Sequence, residues 1–133
     1  MGAVVCISCA VCQKQSAFRV GCGLLHADLE RTAGLFEEDT ADQIRSFGRQ
    51  MQVPVFHFGY QLSYCVRCGC IESVPVLTFM NDSTVYAGVC SGCGGQAELL
   101  GETIEELSEN MEQVQCLECQ GKSLKADEIG WWD

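Results

Sequence analysis

Cysteine is the residue type in this chain that could do chemistry, and its spacing is regular. Eleven cysteines stand among 133 residues, and most occur in Cys-x-x-Cys pairs, which we call hooks. Two central hooks are each followed by glycine, as Cys65-Val-Arg-Cys68-Gly and Cys90-Ser-Gly-Cys93-Gly. Both sulfurs of a hook can reach one metal ion at about 2.3 Å, and the glycine accommodates the backbone bend. Two such hooks predict a tetrathiolate metal site.

Two further hooks lie near the chain ends, Cys9-Ala-Val-Cys12 and Cys116-Leu-Glu-Cys119, each followed by glutamine. Cys6 has the same spacing to Cys9. We favour Cys12 as the ligand, because Cys6 then lies on the incoming strand, where a thiol behaves as a small apolar side chain. Eight thiolates make two tetrahedral sites, and the predicted zinc ligands are Cys9, Cys12, Cys65, Cys68, Cys90, Cys93, Cys116 and Cys119.

Metal is favoured over disulfides because the odd number of cysteines would leave one thiol unpaired. Segment 1–11 is apolar, but it lacks the positive charge of a secretion signal and runs straight into a hook. No apolar run approaches the ~20 residues of a membrane span. We therefore expect a cytoplasmic protein in a reducing compartment.

The hooks could combine sequentially, crosswise or in a nested order. We favour nesting, because residues 69–89 have the pattern of a β-hairpin and residues 94–115 largely that of a helix. The nested outer site also closes the longest loop and so constrains the unfolded chain most. This predicts one compact unit over residues 1–133, with an inner zinc ribbon at 60–98 and an outer zinc site from residues 6–12 and 116–119.

Alternating apolar residues predict strands that lead into the hooks. The predicted strands cover residues 3–10, 17–20, 55–64, 74–79 and 85–89, with a turn at 81–83. Pro75 cannot donate a hydrogen bond, so it must lie where its strand is at a sheet edge.

Two segments have helical periodicity. Thr40 opens the first with a capping box to Gln43, and Pro54 ends it; its apolar stripe is Ile44, Phe47 and Met51. We expect this stripe to cover the ribbon sheets. The second spans residues 101–115, and its stripe is Ile104, Leu107, Met111 and Val114. A helical turn near residues 27–33 would end at Gly34. The predicted fold class is a small metal-stabilised α+β fold, with zinc-ribbon β-hairpins and one or two short helices.

The stretch Cys65-Val-Arg-Cys68-Gly to Cys90-Ser-Gly-Cys93-Gly-Gly resembles the zinc-ribbon superfamily. The whole layout is similar to a group of small bacterial proteins with four such hooks. In these the first hook is followed by a Gly-x-Gly bend, here Gly21-Cys22-Gly23, then a helix, a central ribbon and a last hook near a Trp-ended tail. The resemblance implies a fold and two Zn²⁺ ions, and it implies no activity. The glutamines after the two outer hooks depart from the usual glycine.

The charge of the chain argues against nucleic-acid binding. The formal net charge is −10, and 8 Lys and Arg are scattered without a basic run. Two zinc tetrathiolates of about −2 each would take it to roughly −14. Such a chain gains little from counterion release. A nucleic-acid-binding zinc ribbon therefore stays an alternative only.

Closed all-cysteine sites leave no position for a substrate, since a catalytic zinc keeps one coordination position open. His26 and His57 are the only histidines. We therefore expect no enzymatic activity and no catalytic residue. Similar hooks hold iron in rubredoxins, so a rubredoxin-like iron electron carrier is an alternative from another class.

The expected function is a protein-interaction or regulatory adaptor module. Trp131 and Trp132 are the candidate partner contacts, because adjacent residues of a strand cannot both face one core. The alternative is that both pack on the outer zinc site. The acidic segment 102–112 could meet a basic partner. Of the remaining cysteines, we expect Cys22 to be packed or idle; Cys70 could compete for metal, but we favour a position facing the ribbon core.

Overall fold

The computed structural model describes residues 2–22 and 28–132, so Gly23 and His26 lie outside the described part. Its strands are β1 (Gly2–Cys9), β2 (Gln15–Val20), β3 (Phe56–Cys65), β4 (Ile71–Phe79), β5 (Thr84–Ala87), β6 (Ala97–Gly101) and β7 (Leu124–Trp132). Its helices are α1 (Leu29–Ala33), α2 (Glu38–Arg49) and α3 (Ile104–Asn110), and a 3-10 turn at Met111–Gln113 follows α3. The predicted α+β class is confirmed.

The strands form two antiparallel sheets. An end sheet has the order β2-β1-β7, and a central sheet has the order β5-β4-β3-β6. Gly21, just after β2, exchanges two backbone hydrogen bonds of 2.8 Å with Tyr60 of β3. This bridge ties the end sheet to the middle of the central sheet.

A first core lies where the end sheet, β3 and α3 meet. Val5 of β1, Leu62 of β3 and Leu107 of α3 are each fully buried within it. The predicted stripe of the second helix packs here, with Met111 and Val114 buried and Ile104 half-buried. Because burial of apolar surface is the main stabilising term in folding, this core holds the two sheets together.

A second core lies between α2 and the central sheet. Ile44 of α2 is buried in it together with Phe58 and Phe79, and the rings of Phe47 and Phe79 are 5.0 Å apart. The prediction that the first helical stripe covers a sheet is therefore confirmed. Gly48 is also buried, and an added Cβ there would lie 2.6 Å from Leu29 of α1, so α1 packs closely on α2 at this point.

Both predicted helices have different limits in the structure. α2 begins at Glu38, and its N-cap residue Glu37 makes no side-chain cap, so the capping box at Thr40 was wrong. α2 also ends at Arg49, before Pro54. The second helix is shorter than predicted, because the Thr103 side chain accepts the Glu106 amide and starts α3 there.

Two strands were missed in the sequence. Residues 97–101 form β6 on the edge of the central sheet instead of helix, and residues 124–132 form β7 beside β1. Pro75 pairs with Tyr60 on the interior strand β4, and the β4–β5 ladder ends one residue later, at Val76 and Ala87. The Pro75 carbonyl still accepts the Gly88 amide at 2.9 Å on that side, so the expected sheet edge at Pro75 is borne out only in that the regular ladder stops there. Among the described residues, no helix is long and apolar enough to cross a membrane.

Candidate metal centres

Three of the four hooks are turns between consecutive strands, and the fourth leads into β7. The first hook (residues 9–12) joins β1 to β2, the second (65–68) joins β3 to β4, and the third (90–93) lies between β5 and β6. The fourth hook (116–119) precedes β7. The end sheet therefore carries the first and fourth hooks at one end, and the central sheet carries the other two.

All four hooks have the same backbone hydrogen bonds. The amide of the first cysteine donates to the carbonyl oxygen five residues later, and the residue after the second cysteine donates back to the first cysteine's carbonyl. These N···O distances lie between 2.7 and 3.0 Å. The pattern leaves the amides inside each hook free to point at the sulfurs.

The residue after the second cysteine has a positive φ in every hook. The values are 67° at Gln13, 78° at Gly69, 70° at Gly94 and 61° at Gln120. This left-handed conformation is free for glycine and costs other residues about 1 kcal/mol or more. The outer hooks therefore have the same backbone shape as the inner ones, but their glutamines hold it at a higher conformational energy than glycine would.

The structure brings the second and third hooks together into an inner group. The Sγ atoms of Cys65 and Cys93 lie 3.5 Å apart, as do those of Cys68 and Cys90. All four sulfurs are within 4.8 Å of one another. Four sulfurs held tetrahedrally at about 2.3 Å from a zinc ion would lie about 3.8 Å apart, so the group fits one such ion.

The first and fourth hooks form an outer group of the same shape. The Sγ atoms of Cys9 and Cys119 are 3.6 Å apart, as are those of Cys12 and Cys116. These four sulfurs also lie within 4.8 Å of one another. The hooks therefore meet in the nested order, and the grouping uses Cys12 rather than Cys6.

The first cysteine of each hook is buried and the second is at least partly exposed. The backbone amides of Cys12 and Val11 lower the pKa of Cys9 to about 6. In the second hook the amides of Cys68 and Arg67 lower the pKa of Cys65 to about 7. Backbone hydrogen bonds thus favour ionisation of these two buried thiols near neutral pH.

The second cysteines resist ionisation. The Lys14 amide lowers the pKa of Cys12, but desolvation and the nearby sulfurs of Cys116 and Cys9 outweigh it and raise that pKa to about 11. The pKa of Cys93 is also raised, since the Cys65 sulfur and desolvation outweigh its bond from the Gly95 amide. Four thiolates this close repel one another, and a bound divalent cation is what allows all four to ionise.

Side chains distant in sequence support the hooks, and the sequence did not reveal them. Lys14, beside the first hook, forms a 2.6 Å ion pair with Glu118 in the fourth. Glu72 of β4 accepts hydrogen bonds from the Ser91 amide and hydroxyl, at 2.8 and 2.6 Å, and so braces the third hook. The partners of these two contacts are 104 and 19 residues apart, so no short sequence pattern could predict them.

The remaining cysteines lie outside the two groups. Cys6 is half-buried on β1, and Cys22 packs against the second core, as expected. Cys70 is half-buried, and its sulfur would lie 3.9 Å from a Cβ at Gly92 in the third hook. The Cys70 amide lowers the pKa of Cys68, but the thiol of Cys70 and the sulfur of Cys90 outweigh it and raise that pKa. The prediction that Cys70 faces the ribbon core was therefore wrong, because its side chain turns back to the hook.

The tryptophans lie at the far end of the end sheet from the outer group. Trp131 pairs with Ala3 and Trp132 with Gly2, whereas β7 meets Cys9 at its other end. Packing of both rings on the outer site was therefore wrong. Trp131 is 72% exposed. The indole of Trp132 instead donates to the Val20 carbonyl at 3.0 Å, so one tryptophan faces outward and the other inward.

Comparisons with known protein families, with curated proteins and with solved structures find no match to this chain. The class of the protein is therefore defined by its own geometry. It is a small α+β chain with two groups of four cysteines, each able to hold a metal ion.

The nested grouping predicts which cysteine pairs share a metal ion. After reconstitution with zinc, we expect the double variant Cys9→Ser with Cys116→Ser to keep one ion per chain, because both changes fall in the outer group. Cys9→Ser with Cys65→Ser should keep none. Native mass spectrometry gives the count. Sequential pairing would reverse the two results, and crosswise pairing would leave neither variant with metal.

Substitutions at the left-handed positions after the hooks should change the free energy of unfolding in opposite directions. Gly94→Ala should lower the free energy of unfolding by about 1 kcal/mol, since no atom lies within 4 Å of the new Cβ to add a clash. Gln13→Gly should raise it by about 0.5 kcal/mol. Urea unfolding at a fixed free zinc concentration measures both.

The control for this pair is Gly130→Ala, which also meets open space but does not have a positive φ. It should change the free energy of unfolding by less than about 0.5 kcal/mol. Equal effects at Gly94 and Gly130 would contradict the strain assigned to the hooks.

Proposed function

We propose that the protein is a zinc-ribbon interaction module, in which two structural tetrathiolate zinc sites hold surfaces that contact a partner protein in an adaptor or regulatory role. The observation that carries the proposal is the fourfold recurrence of one hook geometry, paired into two groups of matching sulfur spacing. Such sites suit a reducing, cytoplasmic environment, where thiols stay available as ligands.

The arrangement of the inner group supports the zinc-ribbon assignment. β3 runs directly into the second hook, and the β4–β5 hairpin carries the chain to the third. This is the hairpin that the spacing of the central hooks predicted. When bound, zinc supplies the positive charge that lets four thiolates lie together, and the residues of the hooks fix its position.

A structural role is favoured over catalysis because sulfur fills all four positions of each group, whereas catalytic zinc keeps one position open. The one histidine in the described part, His57, lies eight residues before Cys65 on β3. At ~3.3 Å per residue this places it about 26 Å along the strand. Its ring lies 3.1 Å from Glu102, away from both groups.

Trp131 is the best candidate contact residue on the surface. It lies on β7, an edge strand of the end sheet, and its indole is fixed by a 2.6 Å hydrogen bond to Glu128. Ile129, also on β7, is 60% exposed. An orientated, exposed tryptophan is a typical anchor of a protein interface. Trp132 serves the fold instead, between Arg19 and Tyr60.

The partner should carry positive charge. The formal net charge is already −10 with every cysteine counted as neutral. α3 carries Glu105 and Glu106 in its first turn and has no basic residue in its last turn. Charge complementarity speeds association and selects the partner.

Loss of the exposed tryptophan should weaken partner binding without affecting the fold. Trp131→Ala should weaken capture of a specific partner about 30-fold, as a hot-spot residue does. Its free energy of unfolding should change by less than about 0.5 kcal/mol. Pull-down with the zinc-loaded full chain, followed by titration of the identified partner, measures both.

Val85→Ala is the matched control, because Val85 is 53% exposed on β5 in the other sheet. It should leave partner binding unchanged. An identical set of captured proteins for the wild-type chain and Trp131→Ala would remove this surface from the proposed function.

A further inference from the structure

The inner group has a fifth sulfur beside it, and the outer group has no counterpart among the described residues. In each hook the residue two positions after the second cysteine donates its amide to that cysteine's sulfur; these residues are Lys14, Cys70, Gly95 and Gly121. Cys70 is the one member of this set with a thiol side chain. The second hook therefore carries a spare ligand at a position where the other three hooks carry none.

The spare thiol lies between the two inner hooks. On one side it interacts with the sulfur of Cys68, two residues earlier in the chain. On the other side is Gly92, where a Cβ would lie 3.8 Å from the Cys90 sulfur and 3.9 Å from the Cys70 sulfur. The sulfurs of Cys70 and Cys90 therefore both lie beside the turn of the third hook.

Exposure together with a neighbouring thiol singles out Cys68 as the ligand that can be replaced. Cys65 and Cys90 are buried, whereas Cys68 and Cys93 are half-buried. Of these two half-buried ligands, only Cys68 has a further thiol two residues later, the half-buried Cys70. Cys70 lies two residues beyond Cys68 on the same turn, so the two sulfurs stay together however the chain moves. A tethered thiol competes for a metal position at high effective concentration.

We infer that Cys70 is an alternate ligand of the inner metal site, which replaces Cys68 and allows the metal to exchange. The inference rests on the proposed function, since it requires zinc in the inner group. In the exchange, the Cys70 sulfur forms a bond to the metal while the Cys68 sulfur gives up its own. The proton of the Cys70 thiol passes to the released Cys68 sulfur, so the number of thiolates is unchanged.

This exchange makes the two sites unequal. The inner site can pass its zinc to an external chelator or a thiol-rich acceptor protein by stepwise replacement of sulfurs. The outer site has four sulfurs and no spare sulfur among the described residues. It therefore keeps its metal, and the first and fourth hooks stay joined.

The test compares the second cysteines of the two inner hooks, Cys68→Ser and Cys93→Ser. Both are half-buried, but only the former has a thiol two residues later. With zinc as the probe, Cys68→Ser should keep two ions per chain in native mass spectrometry, and Cys93→Ser should keep one. Removing the hydrogen-bond partner of a metal ligand lowers metal affinity roughly 10- to 100-fold. Removing the ligand itself, with no thiol to replace it, should lower the affinity further.

The double variant Cys68→Ser with Cys70→Ser should also keep one ion, which assigns the rescue to Cys70. Equal metal loss in Cys68→Ser and Cys93→Ser would overturn the inference while the proposed function stands. A wild-type chain that binds no zinc would instead overturn the proposed function itself.

A second measurement uses a chain with all eight ligands intact, so that misfolding cannot imitate the result. Cys70→Ser should still bind two zinc ions but should release the inner one to EDTA about tenfold more slowly, because the internal competitor is lost. Cys22→Ser removes a thiol that packs in the second core, and it should leave the release rate unchanged. An unchanged rate in Cys70→Ser would overturn the inference.

Discussion

The meeting of the first and fourth hooks is the constraint on which the rest of the structure depends. Cys9 and Cys119 are 110 residues apart in sequence, yet their sulfurs lie 3.6 Å apart. β1 can lie between β2 and β7 because the first hook, which joins β1 to β2, and the fourth hook, which precedes β7, meet at one end of the end sheet. The first core forms against this sheet, and its contacts through Leu62 and Leu107 fix β3 and α3. Closing so long a loop removes much of the freedom of the unfolded chain.

Charge explains why the two groups need an ion rather than thiols alone. Backbone amides lower the pKa of Cys9 and so favour its ionisation. Desolvation and the neighbouring sulfurs raise the pKa of Cys12 and so oppose its ionisation. A divalent cation removes this conflict. Under the proposed function, folding and metal binding are one equilibrium for this chain, and this equilibrium holds the surfaces at the far ends of the sheets in place. The exposed Trp131 is such a surface.

The sequence predicted those parts of the fold that follow from local spacing. The hooks, their nested order, the hairpin between Cys68 and Cys90 and the buried stripes of α2 and α3 all come from patterns within a few residues or from loop lengths. It did not predict β6 and β7, because β7 pairs with a strand more than a hundred residues away and carries charged residues that obscure its alternation. The positions of the two tryptophans depend on the register of β7 against β1. Lys14 and Glu118 meet only because the hooks do.

Metal analysis of the protein purified in its native state tests the central claim most directly. Native mass spectrometry combined with elemental analysis gives the number and identity of the ions in one experiment, and thiol alkylation of the same sample shows which cysteines are protected. The proposed function predicts two zinc ions per chain, with the outer four cysteines protected. Around the inner group it predicts alkylation only at Cys68 and at the neighbouring Cys70. Iron that gives a red protein bleached by reduction, or a folded chain without bound metal, would contradict this account.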